Sequence, residues 1–310
     1  MLMCVVWGAG CIDESPPPQT TETGADPAAS NDNDGPESNL AKLNGLTSPT
    51  SSSDSATTVR PPAPPPPPPP PEPPVNPDPP LVPPGPQTEK PFVLEMSPAV
   101  KMEFAWIPPG EFMMGDGRND LARHKESIEA FYLDAYEVTQ AQWQIVMGKN
   151  PSLTRGTKYP VERVNWSDCV EFLRRMNAKY AASGMRFALP SEAQWEYACR
   201  AGQPLEANPT DSGTHIEDYA WMGRNSRNDL HPVGERKANE WGLYDMQGNV
   251  AEFCADIVKG ERDDGEEWHV VRGGNIRSGL SECRSTSRFP RRGTVPLRQD
   301  GLRIICVPAK

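Results

Sequence analysis

The cysteine best placed for chemistry in this sequence lies among arginines and serines. Cys283 belongs to "RGGNIRSGLSECRSTSR", residues 272–288, which begins beside paired glycines. Such a thiol could be a nucleophile if Arg277, Arg284 and Arg288 lower its pKa, or it could be half of a disulfide. A nucleophile would also need a base. The four histidines, at positions 124, 215, 231 and 269, show neither metal-binding nor catalytic spacing.

Composition divides the chain near residue 90. Residues 1–90 carry 11 acidic and 3 basic side chains and most of the 37 prolines, whereas residues 91–310 carry 31 acidic and 28 basic ones. The net charge of −11 therefore comes mostly from the first part. Neither part has the basic surface that nucleic acid requires, so no nucleic-acid partner is expected. Residues 91–310 are long enough to bury one core.

The first residues, "MLMCVVWGAGC", predict an export signal. An apolar run ends in three small residues directly before Cys11. The run is too short to span a bilayer, which needs ~20 apolar residues. It resembles a bacterial lipoprotein signal over residues 1–11, in which Cys11 is lipidated. We therefore expect an extracytoplasmic protein of the bacterial cell envelope, held on the membrane by a lipid anchor.

Residues 12–90 have the composition of a tether. They are rich in Ser, Thr, Asp and Pro and poor in apolar residues, which predicts disorder. Residues 61–86 are nearly all proline. A polyproline segment extends by ~3.1 Å per residue, so this one would hold the following domain roughly 80 Å from its anchor.

Periodicity predicts that residues 91–310 form an α+β domain with two main helices, short antiparallel strands and much irregular structure. Strand patterns suggest a β-hairpin over 104–116 and a strand over 127–139. Helices are predicted over residues 139–148, 165–182 and 189–202.

The predicted helices carry capping signals. Thr139 and Ser191 precede the first and third helices, and Gln194 completes a capping box in the third. Ser167 is the predicted cap of the second helix, whose buried face is predicted to be Val170, Leu173 and Met176.

Several blocks of residues 100–307 resemble, in order, the formylglycine-generating enzyme (sulfatase-modifying factor) family. They are "IPPGEFMMGD", "YEVTQAQW", "YPVERVNWSDCVEFL", "FALPSEAQWEYACRAG", "HPVGERKANEWGLYDMQGNVAEFCAD", "VVRGGNIRSGLSECRSTSR" and "DGLRII". The resemblance implies a fold related to C-type lectins, with little regular structure and a groove for an extended peptide. Fold alone does not settle function.

The resemblance also implies where chemistry would occur. The generating enzymes bind copper(I) between two cysteines and oxidise a cysteine of a sulfatase peptide. Here the second of these positions is Cys283, but the first is Ser278. Soft thiolates select copper(I), and a hydroxyl is a poor substitute, so no copper is expected.

A disulfide between Cys199 and Cys283 is implied by the family's pattern, and Cys169 and Cys306 lie near a second bridged pair. Cys254 is left over and is expected to be a small buried residue.

A calcium site is implied by "YDMQGNVAEF", residues 244–253. Carried over from the family, its ligands are the side chains of Asp245 and Glu252 and the carbonyls of Gly248 and Val250. Calcium prefers six to eight oxygen ligands, and this loop offers carboxylates and carbonyls. The alternative is a Gly-Asn turn flanked by solvated carboxylates.

Three functions are open at this point. The first is a divergent or non-catalytic family member that binds a peptide or protein, such as a sulfatase, in the groove. The second is an active formylglycine-generating oxidase, and the third is a lectin-like adhesin. Ser278 favours the first over the second, and no calcium–sugar motif supports the third.

Overall fold

The helices and strands are short and are joined by irregular segments, which confirms the predicted α+β class. The computed structural model of the chain describes residues 90–117, 122–205, 208, 211, 215–258 and 267–309. The predicted signal, and the predicted tether up to residue 89, lie outside the described residues. The α-helices are α1 (Gln140–Met147), α2 (Trp166–Lys179), α3 (Glu192–Cys199) and α4 (Ile216–Tyr219). The strands are β1 (Phe92–Ser97), β2 (Val100–Ile107), β3 (Gly110–Met114), β4 (His124–Ile128), β5 (Phe131–Asp134), β6 (Met185–Ala188), β7 (Ala251–Ile257), β8 (Trp268–Arg272), β9 (Arg288–Arg292), β10 (Asp300–Gly301) and β11 (Ile305–Pro308).

Two sheets form the frame of the domain. One has the strand order β1-β2-β5-β11-β6 and the other the order β10-β7-β8-β9, while β3 and β4 pair separately. Among the described strands, all pairings are antiparallel except that of β10 with β7, which is parallel. The predicted antiparallel strands are thus confirmed with one exception.

The predicted hairpin over 104–116 is wrong. Its two halves are strands β2 and β3, but β2 pairs with β1 and β5, and β3 pairs with β4. Pro108 and Pro109 therefore connect two different sheets. The predicted strand over 127–139 is also divided, because β4 ends at Ile128 and β5 covers only Phe131–Asp134.

Local capping explains where the helices begin. Thr139 and Ser191 each accept a hydrogen bond from the backbone of the third helical residue, so both predicted caps are confirmed. The cap of α2 is Asn165 rather than Ser167, and it forms a capping box with Asp168.

The buried face of α2 differs from the predicted one by one residue. Leu173 and Met176 are buried together with Cys169 and Phe172. Val170, by contrast, is 40% exposed.

The five-stranded sheet contributes to two apolar clusters, because successive side chains of a strand point to opposite faces. Met102 and Phe104 of β2 belong to a cluster with α1 and α2. Ile107 of the same strand belongs to a second cluster with α3, β3 and β4. A third, smaller cluster contains Cys283. Within the described ranges, no helix is both long enough and apolar enough to cross a membrane.

Candidate functional site

Ser278 and Cys283 meet in front of Gly274. A methyl group built on Gly274 would lie 2.9 Å from Cys283 Sγ and 3.2 Å from Ser278 Cβ. The φ of Gly274 is 70°, so both its backbone and this close approach require glycine. The fold therefore brings together the two side chains that the sequence singled out.

Arg272, at the end of β8, anchors the loop that contains these residues. Its Nη2 donates to the Ser285 carbonyl at 2.8 Å, and its guanidinium contacts Glu192 at 3.1 Å and Glu196 at 2.5 Å. Ser285 also donates its backbone N–H to Asp211 at 2.7 Å. Buried charge-assisted contacts thus tie the loop to α3.

The thiol of Cys283 is buried in an apolar cluster. It packs with Ile216, Ala220 and Met222. Burial, and secondarily the charge of Glu282, raises the pKa of the Cys283 thiol to about 12. The thiol is therefore protonated at neutral pH, which argues against a nucleophile.

The neighbouring arginines do not activate Cys283, so that sequence-based idea is wrong. Arg284 lies 3.5 Å from Asp116, and Arg288 donates to a glutamate of α3 at 2.7 Å. Arg277 is exposed. Each guanidinium thus serves another contact or the solvent.

The structure does not form the predicted Cys199–Cys283 disulfide. All five cysteines of the described residues are buried free thiols. Cys199 ends α3 and packs in the second cluster, whereas Cys283 packs in the third, so their side chains face different apolar groups. Cys169 and Cys306 share the first cluster but are also free thiols, and Cys254 is fully buried as expected.

The residues at this site do not fit copper(I). That ion is selected by two soft thiolates. Ser278 supplies a hydroxyl, and burial keeps the proton on the Cys283 thiol. The pair therefore offers one sulfur ligand where the family chemistry requires two.

A pocket opens directly beside Ser278. It is an open pocket of about 330 Å³, near the lower end of the range of ligand sites, and is formed by residues 277–280 and by residues 222–224 with Asn228. The Gly223 N–H donates to the Ser278 carbonyl at 3.0 Å, which joins the two walls. This pocket is the candidate ligand site.

The predicted calcium ligands lie on a second, buried site. Asp245 Oδ2 accepts from the Gly234 N–H at 2.6 Å, whereas its Oδ1 is buried and has no hydrogen-bond partner in the described residues. Burial raises the pKa of Asp245 to about 6, against the opposing effects of this hydrogen bond and of Arg303. An unpartnered buried carboxylate oxygen suits a cation.

Glu252 is differently placed. Its carboxylate accepts from Arg303 Nε at 3.0 Å and Nη2 at 2.8 Å, and from Trp195 Nε1 at 2.6 Å. Both of its oxygens are therefore already occupied. The donor set fits calcium at Asp245 but not at Glu252 as it is held here, and no group of three acidic, His or Cys ligands converges in the described part of the chain.

The other two predicted ligands, the carbonyls of Gly248 and Val250, lie between Asp245 and Glu252 in the sequence. Gly248 is pressed against Trp221, because a methyl group on it would lie 2.1 Å from the Trp221 carbonyl oxygen. The Val250 N–H donates to Glu137 at 2.9 Å. Val250 is thus held in the loop by an acid that the sequence analysis did not identify.

Glu137 and Arg303 were missed by sequence reasoning. Glu137 is fully buried and binds the loop through the Val250 N–H and Asn249 Nδ2. Burial, the charge of Asp245 and the charge of Glu252 raise its pKa. The signal for Glu137 was a charged residue in the predicted strand over 127–139, two positions before the cap of α1. The signal for Arg303 was its place in the matched block "DGLRII".

Sequence comparison identifies relatives of this domain. The sulfatase-modifying factor enzyme 1-like domain matches residues 93–307. The chaperone protein LppX of Paenibacillus barcinonensis is 32% identical over 231 residues, which are 58% of this chain and 81% of that protein. The formylglycine-generating enzyme of Thermomonospora curvata is 30% identical over 177 residues, 53% of this chain and only 51% of the enzyme.

Solved structures agree on the fold. Treponema denticola variable protein 1 superposes with a TM-score of 0.62 and 28% identity, over 71% of this chain and all of that one. The predicted lectin-related, sulfatase-modifying fold is therefore confirmed. The chain belongs to the sulfatase-modifying factor family.

Proposed function

We propose that the domain is a non-catalytic member of its family that binds an extended peptide or protein segment beside Ser278. Its exported, lipid-anchored location on the bacterial cell envelope is part of the same proposal. The observation that carries it is the pair at Gly274, where a serine side chain stands beside a buried, protonated thiol.

The chemistry explains why this pair favours binding over oxidation. Generating formylglycine requires oxygen activation at copper, and copper(I) needs two thiolates. Replacing one sulfur with a hydroxyl removes a ligand while leaving the surrounding loop and pocket in place. The remaining geometry supports recognition without turnover.

The relative with the name of a chaperone gives independent support. A chaperone acts by binding another polypeptide, and LppX shares 32% identity across most of its length with this chain. A client or partner protein, such as a sulfatase, is therefore the proposed ligand class. The active oxidase is the alternative, since formylglycine-generating enzymes are also relatives.

Copper binding and turnover separate the two functions. The reduced wild-type domain is titrated with copper(I) without oxygen, then incubated in air with a sulfatase-type peptide containing cysteine. We expect weak copper binding and no aldehyde by mass spectrometry. Ser278→Cys should bind copper(I) more tightly than wild type, with Ser278→Ala as the matched control. Tight copper binding or aldehyde formation by the wild type would restore the oxidase.

We also propose that calcium binds at Asp245, with the carbonyls of Gly248 and Val250. The unpartnered Asp245 Oδ1 supports this proposal. So does the charge balance, because Asp134, Glu137, Asp245 and Glu252 are buried around one guanidinium, that of Arg303. Burial raises the pKa values of Asp134, Glu137 and Asp245, so these acids hold protons that an added cation would displace.

A further inference from the structure

The charged side chains on the walls of the pocket beside Ser278 are all positive. The charged residues that form it are Arg224 and Arg277, and none of the described residues on its walls is acidic. Apolar surface lies next to these arginines, because Met222 is on the wall and Leu280 is 39% exposed. The pocket therefore combines positive charge with apolar contact area.

The two arginines differ in how much of their charge is already used. Arg224 forms an ion pair with Glu217, and both side chains are about half exposed. The Arg277 guanidinium is exposed and forms no ion pair or hydrogen bond within the described residues. Arg277 thus has a planar set of donors available to a ligand, and such donors match a carboxylate in a bidentate manner.

The backbone keeps this arginine at the pocket. The Arg277 N–H donates to Asn275 Oδ1 at 2.9 Å, and the Ser278 N–H donates to the Asn275 carbonyl at 2.9 Å. On the other side, Gly223 approaches so closely that a methyl group on it would lie 3.0 Å from the Arg277 carbonyl oxygen. The Arg277 main chain is therefore fixed, and little ordering of the backbone is needed on binding.

We propose that this pocket selects peptide segments in which an acidic side chain lies next to an apolar one. Arg277 binds the carboxylate, and Met222 and Leu280 contact the apolar neighbour. The inference rests on the proposed function, because it names the ligand class of the same pocket. Near Arg277, Glu282 is already bound through its carboxylate to the Gly279 N–H at 2.7 Å, so it does not neutralise the guanidinium directly.

The test uses two fluorescein-labelled nonapeptides that differ only in a central Leu-Glu or Leu-Gln pair. Fluorescence anisotropy with the reduced domain measures both affinities. We expect the Glu peptide to bind about tenfold more tightly, because a hydrogen bond to a charged group is stronger than one to a neutral amide. Added salt should reduce this preference.

Variants locate the preference. Arg277→Gln should remove the difference between the peptides, and Leu280→Ala should weaken both equally. Arg298→Gln, which changes an exposed arginine outside the pocket, is the matched control and should behave as wild type. Circular dichroism confirms that each variant is folded.

Each outcome decides one claim. Equal affinity of the wild type for the two peptides, or a preference that persists in Arg277→Gln, overturns the acidic-ligand inference and leaves peptide binding intact. Binding of both peptides that is unchanged when Ser278→Trp fills the pocket overturns the proposed groove itself. A wild type that binds neither peptide overturns the inference.

Discussion

At the scale of single residues, burial decides what an ionisable group can do. The Cys283 thiol keeps its proton because it is surrounded by apolar side chains, although three arginines lie within six positions of it in the sequence. Asp300 illustrates the same effect on an acid. It is 1% exposed, and burial raises its pKa to about 6 even though Arg291 lies 2.8 Å away.

Asp300 should therefore make stability depend on pH. The folded-state pKa is above the ordinary value of 3.8, so the folded state binds the proton more tightly. The contribution of Asp300 to the free energy of unfolding falls as pH rises from about 4 to about 6, by roughly 2–3 kcal/mol. In Asp300→Asn this fall should be absent, so urea unfolding should favour the variant increasingly across that range.

The control for Asp300 is Asp218→Asn. The hydrogen bond and charge of Lys237 lower the pKa of Asp218, so its effect on pH dependence has the opposite sign. A difference between Asp300→Asn and wild type that stays constant with pH would contradict the prediction.

At the scale of elements, local signals were sufficient for helices and insufficient for sheets. The caps at Thr139 and Ser191 are local signals, so the sequence identified them, although it missed the capping box at Thr139 and the Asn165 cap of α2. The partners of β2 and β3 depend on distant strands, and the alternation on both sides of Pro108 looked like a hairpin. The prediction of a Cys199–Cys283 disulfide was wrong for the same reason, because sequence periodicity does not show which apolar cluster a side chain enters.

In the candidate sites too, pairs of residues close in sequence could be predicted and pairs distant in sequence could not. Ser278 and Cys283 lie close in sequence, and the structure places them together. Glu137 is 112 positions from Asn249, which it binds at 2.7 Å, so no local pattern links them.

The loop over residues 244–253, which Glu137 holds through Asn249 and Val250, is the predicted calcium site, and calcium removal tests it. Calcium that binds only the folded state adds ~2.7 kcal/mol to stability at a concentration 100 times its Kd. EDTA should therefore lower the melting temperature of the wild type, and calcium should restore it. Asp245→Asn should lose this response, because the unpartnered oxygen that supports calcium becomes neutral.

Two further variants separate calcium from the ion pair. Asp229→Asn changes an exposed acid and should keep the EDTA response. Glu252→Gln leaves Arg303 buried without its carboxylate and should cost about 3–5 kcal/mol whether or not calcium is present. An EDTA response that survives in Asp245→Asn would place the metal elsewhere.

At the scale of the whole molecule, composition separates a proline-rich first part from the family domain. The acidic, proline-rich first part contributes most of the net charge, whereas the family match begins at residue 93. The tether predicted for the first part would let the proposed binding domain reach partners away from the membrane. Such a tether needs an anchor at its other end.

The anchor prediction concerns Cys11, which lies outside the described residues. Small residues precede it directly, as in a lipoprotein signal. Acyl chains contribute ~0.8 kcal/mol per buried CH₂, so a diacylated Cys11 would hold the chain on the membrane. In a bacterial host, the protein should fractionate with membranes, and mass spectrometry should find lipidated Cys11 as the first residue. Cys11→Ser should release it to the soluble fraction, whereas Cys4→Ser, a cysteine within the predicted signal, should not. A soluble wild-type protein that retains unmodified Met1 would contradict the anchor.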